Sequence, residues 1–188
     1  MDMYKLKFTR LQNEIFRLLS IKAGMTLNQR DIAKILKVSP TAVSKSLPLL
    51  EKEDLIKIKR LNKINLLSIE FNRDNQKAIY IKRAENIKLI YESEIMNHLN
   101  DNFPGCTIIL FGSYSRGEDS ITADFEGHKS DIDIAIVGTK GKEIVLTKFE
   151  KLLEREININ FYESWKIIDK HLKNNILNGV LFSGGVEL

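Results

Sequence analysis

The sequence predicts an α+β protein with two parts, three helices and a β-hairpin followed by an α/β domain whose small mixed sheet is flanked by helices. Up to about residue 50, apolar residues recur every three or four positions, and a strand-like alternation follows to residue 71. From residue 84 onward, segments with helical spacing alternate with short apolar runs of strand length. These two patterns together favour two domains, residues 1–80 and 81–188.

Charge divides the chain at nearly the same place. Residues 1–83 hold 18 Lys and Arg against 8 Asp and Glu, a net charge of +10. Residues 84–188 hold 11 against 17, a net charge of −6. The basic half predicts a polyanionic partner, whereas the acidic half is typical of a metal-dependent site.

Composition excludes several other classes of protein. The chain has 188 residues with 43% hydrophobic content, which is normal for globular domains. No apolar run approaches the roughly 18 to 20 residues that span a bilayer, and the N-terminus lacks the apolar core of a signal peptide. A cytoplasmic protein without membrane association is therefore expected.

The first three helices follow from apolar spacing and capping residues. Helical periodicity covers Phe8–Lys22 and then Leu27–Leu36. Ser39 is expected to cap a third helix that begins at Pro40, a residue favoured at the first helical position. Pro48 lies inside this helix and is expected to bend it, because it removes one backbone hydrogen bond.

Residues 55–60 and 64–71 then predict a β-hairpin around a basic turn, and three helices with a hairpin make a winged helix-turn-helix. The run TLNQRDIAKILKVSPTAVSKSLPLLEKEDLIKIKR resembles winged-helix transcriptional regulators over about residues 8–71. The resemblance implies DNA binding, with the third helix in the major groove. The expected contacts are Thr41, Ser44 and Lys45 on that helix and Lys57, Lys59, Arg60 and Lys63 on backbone phosphates. The alternative is a module for protein interaction or dimerisation only.

Beyond a polar linker at residues 72–76, the second half is predicted to contain three helices and four strands. The first helix is expected over Ala84–Asn100, another from Ile144 to about Arg155, and the last after a cap at Ser164. The expected strands are Ile108–Phe111, Ile132–Val137, Ile157–Tyr162 and Val180–Phe182.

The stretch from Thr107 to Val137 carries the chemistry. Gly112 and Ser113 end a buried strand, where a glycine lets the backbone approach a ligand and free N–H groups bind phosphate. Asp131 and Asp133 are two apart on the next strand, so both carboxylates project from one face. About 4 Å apart, they would repel by roughly 4 kcal/mol at an effective dielectric of about 20. This favours Mg²⁺ shared with substrate phosphates.

The motif G-S-x-x-R-G-E followed by S-D-I-D-I-A-I-V resembles the signature of the DNA polymerase β nucleotidyltransferase superfamily, particularly its minimal branch, over residues 84–188. The resemblance implies that Gly112 and Ser113 hold a nucleoside triphosphate and that Asp131 and Asp133 hold the metal. Arg116 stands at a basic position of the motif. It is expected either to neutralise the triphosphate or to pair with Glu118.

One position departs from the family pattern. Active members carry a third carboxylate on the strand after the intervening helix, and here LEREININFY places Asn158 there, with Asn160 as the second candidate. An amide oxygen ligates metal but accepts no proton at neutral pH. General-base help is worth about 10² to 10⁴ in rate, so transfer is expected to be slow or absent. Glu118–Lys129 form an insert beside the site, either a lid or a solvated loop.

Three functions follow from these patterns. The first is Mg²⁺-dependent transfer of a nucleoside monophosphate from an NTP to a hydroxyl acceptor, coupled to DNA binding. The second is a catalytically impaired transcriptional regulator whose nucleotidyltransferase fold binds nucleotide or a protein partner. The third is an antitoxin-like module with a toxin as its partner. A homodimer is expected from the way winged-helix proteins bind two half-sites.

Overall fold

The computed structural model of the protein describes residues 6–61, 66–121 and 130–186. These residues form two compact units. The first unit runs up to Lys82 and also includes Ser120 and Ile121, and the second contains Arg83–Asp119 together with the described residues from Ser130 onward. Lys63 and most of the predicted insert lie outside the described residues. The predicted division into domains of residues 1–80 and 81–188 stays a prediction.

Three capped helices open the first unit. In each case the side chain before the helix satisfies backbone N–H groups that have no helical partner. Thr9 and Asn28 both form capping boxes, and Ser39 accepts a hydrogen bond from the Ala42 N–H at 3.1 Å. The predicted cap of the third helix is confirmed. The helices are α1 (Arg10–Ile21), α2 (Gln29–Leu36) and α3 (Pro40–Lys52).

Pro48 does not end α3. The helix continues through it to Lys52, and the proline is exposed. Proline has no backbone N–H, so the carbonyl of Ser44 loses its helical donor. The buried residues of this helix, Val43, Leu47 and Leu50, keep one apolar face against the core.

A two-stranded antiparallel hairpin completes the first unit, with β1 at Ile56–Leu61 and β2 at Leu66–Phe71. Leu27 and Ile69 exchange backbone hydrogen bonds of 2.9 and 2.8 Å, which attach the hairpin to the segment before α2. One hydrophobic core joins the three helices and the hairpin. Three helices and a hairpin around one core confirm the winged helix-turn-helix.

The prediction of one helix over Ala84–Asn100 is wrong in two respects. The helix begins eight residues earlier, so that α4 covers Gln76–Glu92 and the unit boundary falls inside it. The chain then breaks before α5 (Ile95–Asn102), where Glu94 has a left-handed φ of 62°. The Ser93 hydroxyl donates to the Ile90 carbonyl at 2.7 Å, which satisfies a group that the helix end leaves open.

The second unit is built on a four-stranded sheet in the order β5-β4-β3-β6. The central strand β3 is antiparallel to both of its neighbours, while β4 and β5 are parallel. The predicted small mixed sheet is confirmed. The strands are β3 (Thr107–Phe111), β4 (Ile132–Val137), β5 (Ile157–Tyr162) and β6 (Val180–Ser183).

Alternating residues of β3 and β4 face two different cores, because side chains of a strand point to opposite faces. One face, with Ile108 and Ile134, packs against Leu99 of α5 and against Phe149. The other face, with Ile109 and Ala135, packs against residues of the C-terminal region, namely Trp165, Ile168 and Ile176. Asp131 and Asp133 project from this second face.

Two helices in this unit differ from prediction. The short helix α6 covers Gly112–Arg116, and helix α7 covers Thr147–Leu153 and so begins later than Ile144. Ser164 makes no side-chain cap, and only one turn of 3₁₀-helix follows it. The last helix, α8 (Lys170–Leu177), is capped instead by Asp169, whose carboxylate accepts from the His171 N–H at 2.9 Å. Asp169 is also a strong cap residue and stands directly before the regular apolar spacing.

Within the described ranges, no helix combines the length and the apolar composition that a membrane crossing requires.

Candidate functional site

A glycine turn brings the backbone against a carboxylate at the end of β3. The strand ends at Phe111 and runs directly into the short helix α6 (Gly112–Arg116). Gly112 has a φ of 74°, and a Cβ built on it would lie 2.4 Å from Oδ2 of Asp133. Glycine is therefore required here twice, for the left-handed backbone and for the close approach. Ser113 follows and is partly exposed.

Asp131 and Asp133 lie beside this turn on the same face of the sheet. The antiparallel register places Asp133 opposite Phe111, the last residue of β3. Burial raises the pKa of the Asp133 carboxyl, and the neighbouring Asp131 raises it further. Both causes disfavour the charged form, which a cation between the two carboxylates would relieve.

The parallel register of β4 and β5 brings Asn158 to the same place. Asn158 is the register partner of Asp133, and its Nδ2 donates to Oδ2 of Asp131 at 2.9 Å. Asn160 pairs instead with Ala135, two residues further along the sheet. The structure thus brings together Gly112, Asp131, Asp133 and Asn158, and it leaves the second candidate, Asn160, away from the carboxylates.

Arg116 adopts one of the two predicted arrangements. Its Nε donates to Oε2 of Glu118 at 2.7 Å, and its Nη1 donates to Oδ1 of Asn175 at 3.4 Å. The guanidinium remains partly exposed, with 43% of the side chain accessible. Sequence analysis missed Asn175, because it follows Arg116 by 59 positions and belongs to α8.

A buried ionic network lies next to α6, and no sequence signal pointed to it. Asp119 and Arg155 form an ion pair of 3.1 Å between side chains that are each 1% exposed. Nδ2 of Asn86 donates to Oδ1 of Asp119 at 2.7 Å and to the carbonyl of Tyr114 at 2.9 Å. A solvated loop, one interpretation of the insert, is therefore wrong for Asp119.

The two carboxylates of the site are compatible with Mg²⁺ when substrate phosphates supply further oxygen ligands. Among the residues that the structure describes, no three His, Cys, Asp or Glu side chains cluster as a metal site. Magnesium is commonly held by one or two carboxylates together with substrate phosphates, and Asp131 and Asp133 offer such a pair. Burial of the Asp133 carboxyl and the nearby Asp131 both raise the pKa of Asp133, and a cation between the two carboxylates would offset both effects.

On α3, the three residues predicted to contact bases share one feature. Thr41, Ser44 and Lys45 are all exposed, while Val43 and Leu47 between and beyond them are buried. The exposed side of the helix is therefore polar and carries one positive charge. Their contact with DNA stays a prediction.

The hairpin candidates differ in their surroundings. Lys57 forms an ion pair with Asp74, which lowers the pKa of that carboxyl. Nζ of Lys59 lies 3.4 Å from Oε1 of Glu70 on the neighbouring strand. Arg60 is exposed. The two lysines would have to leave these carboxylates in order to contact phosphates, and Lys63 lies outside the described residues.

Most of the second half of the chain is similar to one protein family. Residues 92–182 match the family described as the nucleotidyltransferase domain. This range contains the glycine turn, both aspartates and Asn158. A search of curated proteins found no match.

Several solved structures are similar to part of the chain. The zinc-responsive MarR family member ZitR of Lactococcus lactis is 26% identical, over 55% of this chain and 68% of that one, with a TM-score of 0.40. Wild-type ZitR in complex with DNA is 25% identical over 55% and 67%, also with a TM-score of 0.40. The adhesin competence repressor AdcR of Streptococcus pyogenes is 24% identical over 54% and 71%, with a TM-score of 0.41. Since these scores lie below 0.5, the winged-helix assignment rests on the three helices and the hairpin.

Proposed function

We propose that the protein transfers a nucleoside monophosphate from an NTP to a hydroxyl acceptor with the help of Mg²⁺, and that its winged helix binds DNA. The observation that carries the first part is the close approach of the glycine turn to Asp133. A Cβ at Gly112 would lie 2.4 Å from Oδ2 of Asp133, and this close approach supports a turn that binds phosphate next to carboxylates that bind the metal.

Each residue of the site has a separate task in this proposal. The backbone at Gly112 and the hydroxyl of Ser113 hold the phosphates, and Asp131 and Asp133 hold Mg²⁺. Bound there, Mg²⁺ would neutralise the negative charge that develops on the phosphates. The guanidinium of Arg116 leaves Glu118 and binds a phosphate oxygen. This change costs little, because a partly exposed ion pair is weak. The acceptor oxygen then bonds to the α-phosphorus, and pyrophosphate leaves in line.

Proton removal from the acceptor is the step that this chain supports least. Asn158 donates its amide to Asp131 and has no basic group. A missing general base costs about 10² to 10⁴ in rate. Slow transfer is therefore expected, unless the acceptor itself is acidic enough to lose its proton to water.

The first experiment is calorimetric titration of the full chain with each of the four NTPs, with and without Mg²⁺. A Mg²⁺-dependent component of binding is expected, and this component is expected to disappear in the double variant Asp131→Asn, Asp133→Asn. Asp101→Asn is the matched control, because Asp101 is exposed on α5 in the same unit. The absence of a Mg²⁺-dependent component, or a Mg²⁺-dependent component that survives the double variant, would contradict the proposed site.

A second candidate function is favoured by Asn158. If the amide abolishes transfer, the protein is a DNA-binding regulator whose nucleotidyltransferase domain binds nucleotide or a protein partner. Pyrophosphate release in the presence of DNA, protein and small hydroxyl acceptors separates the two functions. Release that requires Asp131 and Asp133 supports the enzyme, whereas nucleotide binding without release supports the regulator. A toxin partner and a homodimer stay predictions.

A further inference from the structure

The second unit contains an open cavity of about 630 Å³. Its wall includes Thr107 and Val137, which pair with each other in the sheet, and Trp165, which follows the end of β5. Such a volume is within the range of small-molecule sites, roughly 300 to 1,000 Å³. Sequence analysis and the proposed function leave this cavity without a role.

The cavity is separate from the proposed nucleotide site. Thr107 is the first residue of β3 and Phe111, beside Gly112, is the last. Four steps along a strand cover about 13 Å, so the two places lie at opposite ends of the same strands. The same holds for β4, where Val137 is at the cavity and Asp133 is near the other end.

Positive charge is concentrated at this cavity. Lys166 and Lys173 both belong to its wall, and neither side-chain ammonium group has a hydrogen-bond or ion-pair partner among the described residues. Glu163 is the one acidic residue among the described residues of the wall. The surrounding half of the chain carries a net charge of −6, so two unpaired lysines at one cavity indicate an anionic ligand.

Apolar surface and free space accompany the charge. Trp165 is 8% exposed and Val137 is 4% exposed, so each offers a small apolar area to the cavity. A Cβ added at Gly105 or Gly185 would meet nothing within 4 Å, which shows that both glycines border open space. The volume is much larger than the roughly 30 Å³ of one water molecule, and it suits a ligand with an organic body.

We propose that this cavity binds an organic anion of about mononucleotide size. Its phosphate or carboxylate group contacts Lys166 and Lys173, and its flat ring lies against the edge of Trp165. The proposal is independent of nucleotidyl transfer, because none of these residues belongs to the glycine turn or to the carboxylate pair.

Trp165 makes the test direct, because it is the only tryptophan in the chain. The probe is AMP, added to the full chain in buffer with EDTA, which removes the metal that the other site needs. A saturable change in tryptophan fluorescence is expected. The same change is expected in the Asp131→Asn, Asp133→Asn variant, whereas loss of the signal there would overturn the proposal.

Two variants test whether AMP binds in this cavity. Lys166→Ala with Lys173→Ala is expected to weaken AMP binding by at least about tenfold. Gly185→Leu is expected to abolish it by filling the cavity, and the protein should still fold because Gly185 has no positive φ and no neighbour near its Cβ. Lys88→Ala with Lys151→Ala removes the same charge elsewhere in this unit and should leave binding unchanged.

Three further outcomes would overturn the proposal. Equal affinity for adenosine would contradict the need for an anion. Equal affinity for inorganic phosphate would contradict the need for an organic body. No saturable change with AMP, in a protein whose thermal unfolding is normal, would mean that the cavity does not take this class of ligand.

Discussion

At the scale of the residue, the side chain of Asp133 restricts position 112 to glycine. The glycine has a left-handed backbone, and the carboxylate occupies the space that a larger residue would need. Gly105 has a similar φ of 78° but no atom within 4 Å of its added Cβ. Alanine substitutions at Gly112 and Gly105 therefore separate the cost of a left-handed backbone from the cost of disturbing the site.

Gly112→Ala and Gly105→Ala are both expected to lower the free energy of unfolding by about 1 to 2 kcal/mol, because each places alanine in the left-handed region. Only Gly112→Ala is expected to weaken Mg²⁺-dependent NTP binding, by at least about tenfold. Chemical denaturation measures the first effect and calorimetric titration the second. Equal NTP affinities of the two variants would argue against a phosphate site at Gly112.

Asp133 gives a prediction about pH. Its pKa is raised from 3.8 by burial and by Asp131, so the folded state holds its proton more tightly than the unfolded state. The resulting stability is present below pH 3.8 and is lost as the pH rises through the folded-state pKa. In EDTA at pH 7, Asp133→Asn is therefore expected to unfold at a higher temperature than the unsubstituted protein.

The difference between the two unfolding temperatures should vanish when the pH is brought below 3.8, where both side chains are neutral. Asp101→Asn, at an exposed position, is the control and should change neither temperature. A lower unfolding temperature for Asp133→Asn at pH 7 would show that Asp133 stabilises the fold. Asp133 would then have a structural role rather than a role in metal binding.

At the scale of the element, the Asp119 network joins parts of the chain that are distant in sequence. Asn86 belongs to α4, Asp119 follows α6, and Arg155 precedes β5, the strand that carries Asn158. The network thereby attaches both sides of the proposed site to one buried ion pair. Removing one partner leaves a buried charge without compensation.

Arg155→Met is expected to lower the free energy of unfolding of the second unit by about 3 to 5 kcal/mol. Lys88→Met is the matched control, because Lys88 and Glu92 form an exposed pair of 3.8 Å in the same unit. Its expected cost is under about 0.5 kcal/mol. Denaturation followed by the fluorescence of Trp165 reports on this unit, and similar costs for both variants would contradict the structural role of the buried pair.

At the scale of the whole molecule, the basic first half and the acidic second half predict where DNA binds and how salt acts on it. Affinity for duplex DNA should fall as salt rises, since bound lysines displace counterions from phosphates. Arg60→Ala is expected to reduce the slope of log affinity against log salt by about 0.9, because Arg60 is exposed on the hairpin and is predicted to contact a backbone phosphate. Fluorescence anisotropy with a labelled duplex measures the slope.

Lys151→Ala is the control for this measurement, because Lys151 is exposed in the second half of the chain. It should leave both affinity and slope unchanged. A full chain that shows no salt-dependent DNA binding would favour the alternative function of the winged helix, a module for protein interaction or dimerisation.

Local sequence patterns suffice to predict the helices of the winged helix, the strands of the sheet and the spacing of Gly112, Asp131 and Asp133. Each of these depends on residues a few positions apart, and the direction of a side chain along a strand or helix follows from local backbone geometry. Helix caps depend on equally local features. The predicted cap at Ser39 is correct, whereas the predicted cap at Ser164 is wrong because Asp169 caps the last helix instead.

Contacts between residues that are distant in sequence depend on the fold. It placed Asn158 against Asp131, Asn175 against Arg116 and the buried Asp119 against Arg155, at separations of 27, 59 and 36 positions. It also opened a cavity at the opposite end of the strands, where Lys166, Lys173 and Trp165 come together. Such contacts depend on strand order and register, which side-chain periodicity within one segment does not encode.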